Sequence, residues 1–252
     1  LHNELGCNVY LPLLQCHGLK EPTGMRDVDA AEWEANVAFA LGEAGKRAAQ
    51  ISIGGLSTGG TLSLLAAAAD ERVTGRLLLF SAALDLAGGM MGQVKERLLR
   101  TPVVRIVDQA DALRKGGKTP LIGSHPYRYA YIDKGAAGEL ARLLKRTDRM
   151  LVSKTGLPEP LLQRPVFAAH SEADTTASIA GIERLARRLP AERFTFFRIP
   201  FSAGVRHASL VLEEPVVVRQ GGALPGQILE PASTEFVRMM DVLRTFWLES
   251  PV

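Results

Sequence analysis

Ile51-Ser-Ile-Gly-Gly55-Leu-Ser-Thr-Gly-Gly60-Thr-Leu-Ser-Leu-Leu-Ala66 is the stretch whose reading decides the fold. A short β-like run, Gln50 to Gly54, leads into Gly55-Leu56-Ser57-Thr58-Gly59-Gly60, and a helical run follows from Thr58 to about Asp70. The hexapeptide fits G-x-S-x-G in the strand–turn–helix setting that the pattern requires. We expect glycines at Gly55 and Gly59 to let the turn close until Ser57 stands above the sheet at a helix amino end. There the backbone N–H of Thr58 and the helix dipole can stabilise a developing oxyanion. The bland alternative is a Gly-rich turn with a purely structural role.

Outward from this turn, short β-like runs alternate with longer helical ones, which argues for an α/β architecture with a mostly parallel sheet. Strands are expected at Cys7–Leu13, at Arg76–Phe80, at Pro165–Ala169 and at Arg193–Ile199. The run Arg76-Leu-Leu-Leu-Phe80 is apolar without alternation after its first residue, as in strands covered on both faces. Helices are expected from Asp29 to Ala49, from Ile179 to Leu189 and from Thr234 to Leu248. Asp29 and Glu32 have capping-box spacing. Between Asp85 and Gln163 the rhythm breaks for about eighty residues, far beyond the ordinary loop of about 4–6 residues. Helical segments at Met91–Leu99 and Gly135–Leu144 mark this stretch as an inserted cap. The domain reading is therefore a core of residues 1–84 and 164–252 with a cap at 85–163.

A serine hydroxyl needs a base to take its proton, and the base needs an acid to hold its tautomer. On this kind of elbow the acid comes next in the chain and the histidine last, each on a loop leaving a later strand. Asp174 follows Pro165–Ala169 through His170-Ser-Glu-Ala-Asp174; Glu172 is the reserve acid and Asp85 a weaker one. His207 follows the strand ending at Ile199 and is the only histidine after it. His170 reads as a hydrogen-bonded support, and His2 and His125 as bland surface residues.

These residues resemble the α/β-hydrolase family, in particular the capped branch of monoglyceride-lipase-like esterases and serine aminopeptidase-like hydrolases. The resemblance rests on Gly55–Gly60, the loop with Asp174, Val205-Arg-His207-Ala-Ser-Leu210 and the inserted cap. It implies a Ser57–Asp174–His207 triad, an acyl-enzyme, no metal or organic cofactor, and a small-molecule ester as partner. One departure stands out. The family's His-Gly loop, which supplies the second oxyanion donor, lies on an earlier strand, whereas Cys7–Leu13 with His17-Gly18 looks like the strand after it. We therefore expect N-terminal strands to be absent from this chain, which opens at Leu1, or another element to fill the gap. The competing assignment makes Cys16-His17-Gly18-Leu19 the oxyanion loop.

Composition narrows the classes. The 252 residues are 46% apolar and 23% charged with two cysteines, excluding a disordered tail or a disulfide scaffold. Cys7 and Cys16 are expected to be buried thiols. The net charge of +3 comes from 30 basic and 27 acidic residues, interspersed rather than striped, so no nucleic-acid partner is expected. No apolar run reaches the ~18 residues of a membrane span. The default compartment is the cytoplasm. In the cap, Tyr127, Tyr129 and Tyr131 suit ordinary packing of an extended segment, or a half-wet wall over an acyl site. Its basic residues, Lys95 to Lys118, read as a solvated face. The expected activity is carboxylic ester hydrolysis. A thioesterase, amidase or acyltransferase on the same residues stays open, as does a non-catalytic binding protein of this fold lacking a complete oxyanion hole.

Overall fold

Continuous apolar runs cannot alternate between core and water, so they need a cover on each face. In β2 (Leu77–Phe80) and β5 (Val166–Ser171) every residue is buried. The computed structural model describes residues 1–19, 25, 27–87, 118–120, 131–217, 226 and 228–250. Among them β1 (Ile53–Leu56), β2, β5 and β6 (Phe194–Ile199) form one parallel sheet in the order β1-β2-β5-β6. Phe80 lies beside Leu56 on one side and Ala169 on the other. Period-two alternation then splits the runs between two cores. Leu77, Leu79, Val166 and Ala168 face Leu64, Leu161, Ile182 and Leu185. Leu78, Phe80, Phe167 and Ala169 face Met239, Met240, Leu243 and Phe246. Full burial of such side chains stabilises by about 1.5–3 kcal/mol each.

The helices that contribute to the first core are α2 (Ala30–Gly45), α3 (Thr58–Ala69), α4 (Lys134–Val152), α5 (Glu159–Gln163) and α6 (Ile179–Ala186). The second face is covered by α7 (Phe236–Glu249). Two buried arginines fasten helix ends to the sheet. Arg164 Nε donates to Ala67 O at 3.0 Å, placing a cation at the carboxyl end of α3, where the dipole favours one. Arg76 Nη2 donates to Trp247 O and Ser250 O at 2.8 Å each, at the carboxyl end of α7. Its guanidinium also lies 4.7 Å from the centre of the Trp247 ring.

The expected helices and strands around the elbow and after residue 164 are present, with ends that agree to within three residues. The helix expected at Gly135–Leu144 is longer, running to Val152, and its Leu143 and Leu151 are buried against the core. It follows a short antiparallel pair, β3 (Lys118–Pro120) with β4 (Tyr131–Asp133). The helix expected at Met91–Leu99 falls outside the described residues, as do most of the basic positions between Lys95 and Lys118.

Cys7–Leu13, expected as a strand, is not one. It runs as irregular chain after a single helical turn, α1 (His2–Leu5), with Leu11 86% and Leu13 74% exposed. An open edge is available, but neither partner is suited to pair along it. Ile53 and Ser57 donate their N–H groups to Arg76 O and Phe80 O, so alternation turns the backbone groups of Gly54 and Leu56 to the opposite edge. Among the described residues no strand pairs with that edge. Pro12 brings no N–H to a ladder, and Gly54 and Gly55 offer no side chain for cross-strand contact. The segment is tied instead to α2 (Ala30–Gly45), where Trp33 Nε1 donates to Gln15 O at 3.1 Å. Asp29 caps that helix by accepting from Ala31 N at 2.9 Å. Cys7 and Cys16 form no disulfide and are part-buried rather than buried.

Candidate active site

Ser57 is the residue between β1 and α3, and its backbone is forced. At φ 55° and ψ −122° it occupies a region that side chains rarely adopt. A serine preceding a helix ordinarily caps it with its hydroxyl. Ser57 makes no such bond. Its hydroxyl is thereby left to other chemistry, and its carbonyl takes up the turn instead, accepting from Gly60, Thr61 and Ala83 N–H at 3.0–3.2 Å. Thr61 Oγ1 donates to Ala83 O at 2.6 Å, pinning the helix to the loop after β2. Thr58 opens the helix, so its N–H belongs to the group with no carbonyl four residues back.

The glycines divide differently from expectation. A Cβ on Gly55 would lie 2.3 Å from Gly59 C, and one on Gly60 would lie 2.5 Å from Ala82 Cβ. A Cβ on Gly59 would meet nothing within 4 Å. The tight approaches therefore require Gly55 and Gly60, while Gly59 contributes its backbone. Gly55→Ala is expected to destabilise by about 3 kcal/mol or more, at the upper end of overpacking costs, because backbone and not a side-chain tip must move. Gly59→Ala should stay within ~1 kcal/mol of the parent. Urea denaturation of the two variants reads the contrast directly.

Because the sheet is parallel, the loops after β5 and β6 leave from the same end of the strands as the elbow. Asp174 sits in the first, buried, in a turn that aims two backbone donors at one oxygen. Thr176 N and Ala177 N reach Oδ1 at 2.8 and 2.9 Å. The other oxygen, Oδ2, accepts from His207 Nδ1 at 2.6 Å. Burial pushes the Asp174 carboxyl up, but His207 and the two N–H groups outweigh it and hold it below the ordinary aspartate range. His207 follows a 3₁₀ turn, Phe201–Ala203, and the left-handed Gly204. Val205 and Leu210, both buried in the second core, bracket it. With Nδ1–H given to Asp174, the Nε2 of a neutral His207 is left as the acceptor.

The structure thus brings Asp174 and His207 together and sets Ser57 at the same carboxyl end of the sheet. Ser57 Oγ makes no hydrogen bond among the described residues; such contacts are often looser without substrate. The reserve acids are engaged elsewhere. Glu172 pairs with Arg198 at 2.6 Å and accepts from Phe201 N. Asp85 pairs with Arg184 at 3.1 Å. His17 packs edge-on to Trp33 with ring centres 5.9 Å apart. Tyr127 and Tyr129 lie outside the described residues; Tyr131 opens β4. Sequence reasoning missed Glu230, whose buried carboxylate accepts from Ser209 Oγ at 2.9 Å, two residues beyond His207. Among the described residues no group of three or more His, Cys, Asp and Glu is placed to hold a metal ion, and no helix is long and apolar enough to cross a membrane.

No family model matches the sequence. No curated protein matches it either. Solved structures do. The chain is similar to a structure from work on LipS and LipT, two metagenome-derived lipolytic enzymes, at a TM-score of 0.63 and 16% identity over 94% of this chain and 80% of that one. It is similar to a soluble variant of monoglyceride lipase from Saccharomyces cerevisiae, with TM-score 0.59, 15% identity, and 93% and 75% of the two chains covered. It is also similar to the monoacylglycerol lipase of Paleococcus ferrophilus, with TM-score 0.55, 13% identity, and 88% and 76% covered. At such identities the likeness speaks for architecture, and the architecture agrees with the parallel sheet and the Ser57 elbow: the chain has the α/β-hydrolase fold.

Proposed function

We propose that this chain is a serine hydrolase that cleaves a carboxylic ester through an acyl-enzyme. The observation that carries this reading is a serine in strained backbone at a helix amino end, its hydroxyl uncommitted, at the end of the sheet that bears a buried His207–Asp174 pair. Ser57 Oγ attacks the acyl carbon while His207 Nε2 takes its proton. The carbonyl oxygen becomes an oxyanion held by Thr58 N–H, and collapse expels the alcohol, which leaves with the proton from His207. Water then attacks the acyl-enzyme, giving its proton to His207 and its oxygen to the acid product. The proton returns to Ser57 as the ester bond to the enzyme breaks. Asp174 orients the imidazole and stabilises its charged form.

The similar structures lend support through what they are: one from a study of lipolytic enzymes, two of monoacylglycerol-type lipases. The substrate we infer is a small ester with a modestly apolar acyl group. Within the stretch 85–163, α4 and α5 pack on the first face of the sheet through Leu151 and Leu161, so we assign only the part before Lys134 as an insertion over that site. The second oxyanion donor is unassigned. That gap favours one other reading, a binding protein that keeps the fold and has lost turnover. A single donor is worth about 10²–10³ in turnover, so the two readings differ measurably.

The test is a fluorophosphonate probe followed by intact-mass measurement on the native chain, Ser57→Ala and His207→Ala. One adduct on the native chain, absent from both variants, is the expected result. No adduct on the folded native chain would sink the hydrolase reading and leave the binding protein. Comparing ester, thioester and amide substrates then separates the acyl-transfer chemistries.

A further inference from the structure

His170 lies at the end of β5 with no exposed surface, and the reaction above makes no use of it. Its Nε2 is 3.1 Å from Ala177 O and 3.7 Å from Asp174 Oδ2, and its Nδ1 is buried without a partner among the described residues. A carbonyl oxygen only accepts, so Nε2 carries the ring proton. Burial lowers the affinity of the ring for a second proton, against the pull of Asp174, so the 3.7 Å approach is not an ion pair. The peptide units involved form a chain. His170 holds the carbonyl of Ala177, and the N–H of the same Ala177 holds Asp174 Oδ1. Through that turn Oδ2 is presented to His207. A buried histidine is a costly way to satisfy one carbonyl, since its second nitrogen goes unpaired.

We propose that His170 is a positioning residue for the acid: its Nε2–H fixes the Asp174–Ala177 turn, and so the direction from which Asp174 meets His207. The proposal rests on the Ser57–His207–Asp174 reading for its catalytic consequence, although the positioning itself is observable without turnover.

Three variants separate the roles. His170→Leu removes the donor at similar bulk. His170→Gln places an amide N–H at the distance of Nε2, whereas His170→Asn places it nearer to the position of Nδ1. The first readout is the far-downfield proton resonance of the short His207 Nδ1–H bond in one-dimensional NMR. It should persist in the native chain and His170→Gln, and be lost to exchange in His170→Leu and His170→Asn. The second readout is hydrolysis of p-nitrophenyl butyrate. Here kcat should fall about 10- to 100-fold in His170→Leu with KM within twofold, as when the support of a functional group is removed. His170→Gln should recover most of it. Should His170→Leu fail to fold, the Gln–Asn contrast carries the test. An unchanged resonance and kcat in folded His170→Leu, or equal impairment in Gln and Asn, would overturn the proposal. A native chain that shows the resonance but neither labels nor turns over would overturn the hydrolase reading alone, with the NMR comparison still deciding the role of His170.

Discussion

Ser57→Gly is expected to abolish turnover and to make the protein more stable. The two effects have one origin. At φ 55° and ψ −122° the serine sits where glycine is at ease and a side chain is not. Such a conformation costs about 1–3 kcal/mol, while glycine forfeits about 0.5–1 kcal/mol in the unfolded chain. The balance favours Ser57→Gly by roughly 1 kcal/mol in urea denaturation. Ser57→Ala keeps the Cβ and hence the strain, so its stability should match the parent. In both variants kcat should drop by about 10⁶, the scale on which a nucleophile of this kind acts. If Ser57→Gly proved less stable than Ser57→Ala, no strain would be held at the elbow.

The second large effect is at the acid. Asp174→Asn preserves shape, and the amide oxygen can still accept from Thr176 and Ala177 N–H. Its NH₂ group, however, would face His207 Nδ1 and force that nitrogen to accept. The ring proton then moves to Nε2, and the base is lost to Ser57. Turnover at neutral pH should fall about 10⁴-fold with KM little changed. Stability should respond to pH as well. A carboxyl held below its ordinary value stabilises the fold above the unfolded pKa of about 3.9, and that contribution fades as pH falls through the lower folded value. The native chain should therefore lose stability below about pH 4 more steeply than Asp174→Asn, as thermal unfolding over pH 2–6 would show. Parallel curves for the two proteins would mean that Asp174 is not held ionised by its surroundings.

How far the residues alone reveal this molecule depends on the range of the forces involved. Leu77–Phe80 and Val166–Ala169 were legible because burial on both faces leaves a continuous apolar run. The elbow was legible because its constraint is local: the Cβ that Gly55 lacks would collide within five residues of chain. Cys7–Leu13 misled because strand propensity is only readiness to pair, and pairing depends on an edge distant in sequence. Chain order pointed to Asp174 over Glu172, but only the turn geometry distinguishes a carboxylate facing His207 from one facing Arg198. The bond between Ser209 and Glu230 joins residues 21 apart across an irregular stretch, where no periodicity announces it.

The Arg76 clamp sets a clock on biosynthesis. The carbonyls that receive its guanidinium belong to residues 171 and 174 positions later. At a translation speed of about 5–20 residues per second, Ser250 is added roughly 9–35 s after Arg76. Throughout that interval the cation has no native acceptors, and burying it alone would cost several kcal/mol. The nascent chain must therefore keep the start of β2 open to water while most of the sheet is made. The final turn of α7 then closes it, so the sheet around the nucleophile is finished only after Ser250 has been added.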